Sequence, residues 1–230
     1  MIPRIIHQFN IENSDESKIK IDKIRNENKK FWRHNLWKLE EVKTLYPYAK
    51  ENFKQKFEFF LENKMYKKAE DIAKFLILKV HGGLYIDEGF ALLKGKKIND
   101  IPFEDNDLAL FNGIHRRDDS YRFQETIIGS SENHRFINHL LDYIGQTEYM
   151  PRCPFDGKVL DIYSAGYITN HYLLYNRLCN NLPVHGHSVA RILGKNIKLL
   201  DKEYVFAPKY FFHLNKSMIL KHNTISKRLE

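Results

Sequence analysis

Apart from four methionines, the chain's 230 residues hold only two sulfur-bearing side chains, Cys153 and Cys179. Two cysteines cannot make a disulfide framework or a four-cysteine zinc site, and they read as ordinary thiols of a reducing compartment. No apolar run approaches the ~20 residues that a membrane-spanning helix requires. Residues 1–7, MIPRIIH, are too short and too interrupted for a signal peptide. The expectation is a soluble, cytoplasmic protein, with any membrane association peripheral and at the inner membrane face. Glycine (11) and proline (7) are sparse beside 43% hydrophobic residues, which excludes a disordered chain and leaves material for a sizeable core. There is no internal repeat and no low-complexity segment, and the length suits a single domain over 1–230. No glycine-rich phosphate loop is present, since Gly82 and Gly83 end a helix rather than open one. A serine elbow and a His-Glu-x-x-His helix are missing too, which removes the common hydrolase patterns. Acidic charge is short as well: 29 Asp and Glu against 37 Lys and Arg leave a net +8. That balance fits an anionic substrate or partner, or a merely lysine-rich surface. It also raises a nucleic-acid partner, but the charge is spread along the chain and no nucleic-acid motif accompanies it. The expectation is therefore no nucleic acid.

The organising stretch runs from Met65 to Phe90. Met65, Ala69, Ile72, Ala73, Leu76, Ile77 and Val80 make one stripe of a 3.6-residue helix. Phe75 and Leu78 lie opposite, so the helix is covered on both sides, and Asp71 and Lys74 share that second face. Burying an acid and a base costs free energy unless each finds a partner. Gly82 and Gly83 supply a left-handed helix stop. Residues 84–87 are then a short strand that sends Leu84 and Ile86 one way, Tyr85 and Asp87 the other. In open α/β sheets ligands sit beyond the carboxyl ends of strands, where Asp87 and Glu88 fall.

Elsewhere, residues 2–9 read as a buried opening strand, central in the sheet, and Ser14 or Asp15 caps a surface helix through about Arg33. Residues 35–40 alternate as a second strand or continue that helix. A helix over 47–63 is dense in phenylalanine, which reads as core packing ahead of a ligand platform. Residues 107–112 form a strand, and 115–120 are a solvated turn or a contact for substrate phosphate or acceptor. The run 121–130 ends in a loop that feeds a helix over about 133–144, and a further helix spans about 166–178. Residues 196–212 read as strands, and a basic tail closes the chain.

Taken together, residues 2–8 (IPRIIHQ), Ala69-x-Asp71-x-x-Lys74 and residues 82–87 (GGLYID) resemble glycosyltransferase family 32. This is a DXD-motif sugar-transferase family to which the clostridial toxin glucosyltransferases are distantly related. The resemblance extends through residues 126–130 into the tail, so it covers most of the chain. It implies an α/β fold of the GT-A type: one Rossmann-like nucleotide-sugar-binding domain with a mixed, mostly parallel sheet flanked by helices. The implied activity is retaining transfer from a UDP- or GDP-sugar to a glycan or lipid-linked acceptor, with Mn²⁺ or Mg²⁺ weakly held. By position, His7 and Gln8 would edge the base, Asp71 would hold donor-sugar hydroxyls, and Lys74 stands where the family has arginine. Gly83 and Tyr85 would lie by the nucleotide, and Asp87 is the first DXD aspartate, catalytic and metal-binding. His222 and Ser226 resemble the tail residues that close over the diphosphate at about 213–230, with His222 on the metal. The second DXD aspartate is replaced by Gly89, which removes a carboxylate that a hard cation wants. Lys74, Lys227 and Arg228 could then share the diphosphate charge. Asp71 and Glu125 are both open as catalytic base. The departure also implies a rival reading, a nucleotide-sugar-binding pseudoenzyme.

Overall fold

The computed structural model describes residues 1–12, 15–87, 90–92, 98–100, 107–114, 121–144, 168, 171, 203–206 and 211–213. The chain opens with strand β1 (Ile5–Phe9), helix α1 (Asp15–Asn28) and strand β2 (Arg33–Trp37). Helix α2 (Leu39–Lys43), a short 3-10 turn (Tyr46–Tyr48), α3 (Glu51–Glu62) and α4 (Tyr66–His81) follow. Strands β3 (Gly83–Ile86), β4 (Phe90–Leu92), β5 (Leu108–Ile114) and β6 (Tyr121–Ser130) come next. Helix α5 (Arg135–Tyr143) and strands β7 (Glu203–Phe206) and β8 (Phe211–His213) complete the described elements.

Six strands form one sheet in the order β2-β1-β3-β6-β5-β7, and β4 pairs with β8 in a separate ribbon. β1 runs parallel to β2 and β3, β5 runs parallel to β7, and β6 is antiparallel to both β3 and β5. The sheet is thus mixed, and the α/β class stands. β1 is interior but only one strand in from an edge.

Side-chain alternation divides the core into two layers. Phe9, Tyr85, Leu108, Leu110 and Ile128 pack against α3, α4 and α5 on one face. Ile6, Leu84, Ile86, Ala109 and Ile127 pack with Ile24 of α1 and Trp32 on the other. α4 is covered on both sides as expected, with every residue from Ala69 to Leu78 buried. The phenylalanines of α3 divide by periodicity: Phe53, Phe57 and Phe60 are fully enclosed, whereas Phe59 is exposed.

Three boundaries differ from the sequence expectations. α1 ends at Asn28, not near Arg33, where β2 begins. Trp32 drives that change: it is buried, and its indole Nε1 donates to Asn99 Oδ1 at 2.7 Å, which turns the chain inward. The second strand therefore covers 33–37, and residues 39–40 belong to α2. The aromatic helix is split into the 3-10 turn and α3, with Pro47 inside the turn, where its missing N–H costs nothing. Finally, 121–130 is a ten-residue strand, paired with β5 along its length and with β3 over residues 127–130. Of the helix expected over 166–178, only Ile168 and His171 are described, both helical.

The turn between α4 and β3 admits only glycine. Gly82 and Gly83 have φ of +57° and +92°, a region strained for any side chain. A Cβ on Gly83 would stand 2.6 Å from the Ile5 carbonyl oxygen and 2.9 Å from His7 Nε2. The two glycines therefore let β3 fold straight back along α4 and lie tight against β1.

Candidate active site

Because β3 returns along α4, its far end is level with the first half of that helix. Four strand residues climb about 13 Å, the rise of about nine helical residues, which brings Asp87 beside the 67–74 stretch. There Lys67 Nζ forms an ion pair and hydrogen bond with Asp87 Oδ2, and lies 3.8 Å from Glu70 Oε2. Glu70 Oε1 in turn accepts the backbone N–H of Ile11 at 2.8 Å, just beyond β1. One turn further along, Lys74 Nζ donates to Asp71 Oδ1 at 3.2 Å. Lys74 is 1% exposed and its ammonium stands 5.4 Å from the Phe75 ring centroid. Two lysines and three carboxylates thus line the carboxyl ends of β1 and β3 as lysine–carboxylate pairs, with Lys67 on Asp87 and near Glu70 and Lys74 on Asp71.

The groups are layered by depth. Asp71 and Lys74 form the floor, Asp87 and Glu70 are nearly covered, and Lys67 is 57% exposed at the mouth. Burial works against the Lys67 ammonium, but the Asp87 and Asp71 carboxylates outweigh it and hold the amine above its ordinary range. Lys67 is a permanent cation at any physiological pH.

The residues singled out from sequence do not all fall here. Asp71, Lys74 and Asp87 come together, and Tyr85 is buried on the same face of β3, its backbone paired with His7 and Ile128. Gly83 stands at the opposite end of β3, with His7 against it. His7 is fully enclosed: Nδ1 accepts from Trp37 Nε1 at 3.0 Å, which leaves Nε2 to donate to the Gly82 carbonyl at 2.9 Å. Both ring nitrogens serve the framework. Burial pushes this imidazole down to about 3, against the upward pull of the Gly82 carbonyl, so it is neutral. Gln8 points to the other face, where Oε1 meets His34 Nε2 at 2.7 Å and buried Nε2 finds no partner among the described residues. Gly89, His222, Ser226, Lys227 and Arg228 lie outside the described residues, and so does the Glu125 side chain.

Sequence reading missed Lys67 and Glu70. The signal was present: Lys67, Glu70, Asp71 and Lys74 are spaced i, i+3, i+4, i+7, a charged stripe on one helix face. An apolar helix spares such a stripe for a purpose.

The divalent ion expected at Asp87 and His222 can be tested against this geometry. Among the described residues no three His, Cys, Asp or Glu side chains converge to hold a metal. Asp87 is engaged by Lys67, and the sequence supplies glycine where a second carboxylate would stand. The described residues do not fit a divalent ion. What the described site offers an anion is ammonium.

No family model matches the chain. In sequence it is similar to the uncharacterized glycosyltransferase L373 of Acanthamoeba polyphaga mimivirus, at 25% identity over 145 residues. That match covers 61% of this chain, and the chain spans about half (54%) of the relative's length. Among solved structures it is similar to the PaToxG glycosyltransferase, with a TM-score of 0.51 and 18% identity, covering 81% of this chain and 80% of that one. The fold is therefore one that glycosyltransferases use. No described helix is long and apolar enough to cross a membrane.

Proposed function

We propose that the chain is a retaining glycosyltransferase that takes a UDP- or GDP-sugar donor and passes the sugar to a glycan or lipid-linked acceptor. One observation carries the reading: Asp71, Lys74, Asp87 and Lys67 converge at the carboxyl end of β3, where open α/β sheets bind their ligands. The similarity to named glycosyltransferases supports the class of chemistry. In this reading Asp71, oriented by Lys74, accepts hydrogen bonds from donor-sugar hydroxyls. Asp87 orders the ammonium that meets the diphosphate, and Tyr85 backs the ribose. His7 and Gly83 serve the site indirectly, by holding β1 against β3. Ser226 and His222, in a tail of net basic charge, would cover the diphosphate. The net charge of +8 suits an anionic donor and an acceptor at an anionic membrane face. Retention, with no enzymic nucleophile assigned among the described residues, favours attack by the acceptor hydroxyl on the face the diphosphate leaves.

The test is donor hydrolysis with a panel of UDP- and GDP-hexoses, with the anomeric configuration of the released sugar read by NMR. Wild type should release sugar with retained configuration, and Asp71→Asn should be slower by about a hundredfold, the usual cost of a misplaced substrate. Inversion, or an Asp71→Asn variant as fast as wild type, contradicts the assignment. A second reading, a binding pseudoenzyme, draws on the Asp87–Lys67 pair and on Gly89. Nucleotide binding without any released sugar selects it.

A further inference from the structure

We infer that Lys67 takes the place of the metal ion at this site: its ammonium, held by Asp87, binds the donor diphosphate and neutralises the leaving group, so transfer needs no divalent cation. The inference rests on the donor-site reading above and names the group that does the electrostatic work. Three observations lead to it. First, the position beside Asp87 that a cation would take is already filled by a cation of the chain. A divalent ion would have to displace that ammonium, and among the described residues it would find no set of three ligands. Second, the depth order is right for meeting an anion from solvent. The Lys67 side chain is 57% exposed, whereas those of Asp87 and Glu70 are 10% and 11% exposed, so of the three side chains Lys67 is the one that opens to solvent. Third, the carboxylates are engaged elsewhere: Glu70 takes the Ile11 N–H and Asp71 takes Lys74.

An ammonium has three N–H donors. One stays on Asp87, which leaves two for phosphate oxygens, and the flexible four-carbon stem lets the head follow the phosphate as charge develops. In the transfer step the bond between sugar C1 and the β-phosphate oxygen breaks, with its electron pair going to the nucleoside diphosphate. The acceptor hydroxyl oxygen, or water in hydrolysis, forms the new bond to C1, and its proton passes to the departing diphosphate. Lys67 stays protonated throughout, and no redox partner is involved. Asp87 is then a positioning residue for Lys67, and Gly89 is tolerated because no second carboxylate is required.

The experiment measures UDP and GDP binding by calorimetry, and UDP- and GDP-hexose hydrolysis, each in EDTA and in Mn²⁺. It compares wild type, Lys67→Met, Lys67→Arg and the remote control Lys79→Met. Wild type should bind nucleotide equally in EDTA and in Mn²⁺. Lys67→Met should weaken binding in EDTA by about tenfold or more, as expected for lost charge-assisted hydrogen bonds, while Lys67→Arg retains most of it and Lys79→Met is unchanged. Where hydrolysis is seen, it should follow the same order and survive EDTA. Nucleotide binding that depends on Lys67 and survives EDTA but yields no hydrolysis keeps Lys67 as the diphosphate ligand, and overturns both its leaving-group role and the transferase reading. Wild-type binding or turnover that vanishes in EDTA and returns with Mn²⁺ overturns the inference alone, and so does a Lys67→Met variant equal to wild type. Failure to bind either nucleotide under any condition overturns both.

Discussion

Replacing Lys74 by methionine should cost about 3–5 kcal/mol of folding stability, the usual consequence of removing one partner from a buried ion pair. Lys74 is 1% exposed and Asp71 6%. Methionine matches the stem in volume but leaves the Asp71 carboxylate enclosed without its ammonium. The Phe75 ring, 5.4 Å from Nζ, would also lose its cation. Lys67 lies near enough to act on Asp71 through space, but it is bound to Asp87 and cannot follow. Against a typical domain stability of about 5–15 kcal/mol, this is a large share. Removing both charges should behave differently. The double variant Asp71→Leu, Lys74→Met should regain most of the loss, because an apolar pair of similar volume is often as stable as the buried ions. Urea melts of the four members of this cycle give the coupling directly. A Lys74→Met variant within about 0.5 kcal/mol of wild type, the size of an ordinary surface substitution, contradicts the buried pair. A pair that costs stability yet stands beneath the proposed sugar subsite is one retained for function.

Acid should unfold this chain early. Burial pushes His7 down to about 3, and His34, His134 and His171 each down to about 4. His81 and His139 are lowered as well, by burial first. His171 Nδ1 meets His139 Nε2 at 3.3 Å, an arrangement that two imidazolium rings could not keep. In the unfolded chain all of these titrate near 6.5, so below that pH the unfolded state binds more protons than the folded one. Stability is therefore fully present above pH 6.5 and is lost as pH falls toward 4, where the folded histidines themselves begin to charge. Each such proton contributes a slope of up to about 1.4 kcal/mol per pH unit. For His7, which is fully enclosed, the loss between pH 6.5 and 4.5 is about 2–3 kcal/mol. The partly exposed histidines add smaller amounts of the same sign. Thermal melts at pH 7.5, 6 and 5 should show a steady fall that steepens below 6. A flat profile from 7.5 to 5 would mean that these rings are not buried as described.

The sequence already carried the parts of the architecture that depend on local patterning. The stripe from Ala69 to Val80, the Gly82–Gly83 stop and the alternation of residues 84–87 specify a helix folded back on a strand, and the structure has it. The α5 helix was legible for the same reason, its apolar face being continuous from Phe136 to Ile144. What failed were features set by tertiary contact. The end of α1 depends on where Trp32 is buried, and no propensity records that. β6 was hidden because the end of the run 121–130 reads as a loop, and it is the pairing of residues 127–130 with β3 and of 128–130 with β5 that makes it strand. The site was legible as Asp71, Lys74 and Asp87. Lys67 was overlooked because two successive lysines, Lys67 and Lys68, in the first turn of a helix look like solvated surface. Only the folded-back strand, which brings Asp87 beside it, gives that ammonium a meaning. His7 shows the reverse case: a histidine flagged for ligand contact has both nitrogens committed to Trp37 and Gly82.

The most direct measurement is a crystal structure of the chain grown with UDP and with GDP. The account predicts nucleotide density across the carboxyl ends of β1 and β3, with the diphosphate on Lys67 and the Asp87 carboxylate behind it. Nucleotide bound at any other place, or a closed Lys67–Asp87 pair with no room before it at saturating nucleotide, would contradict the assignment of this site.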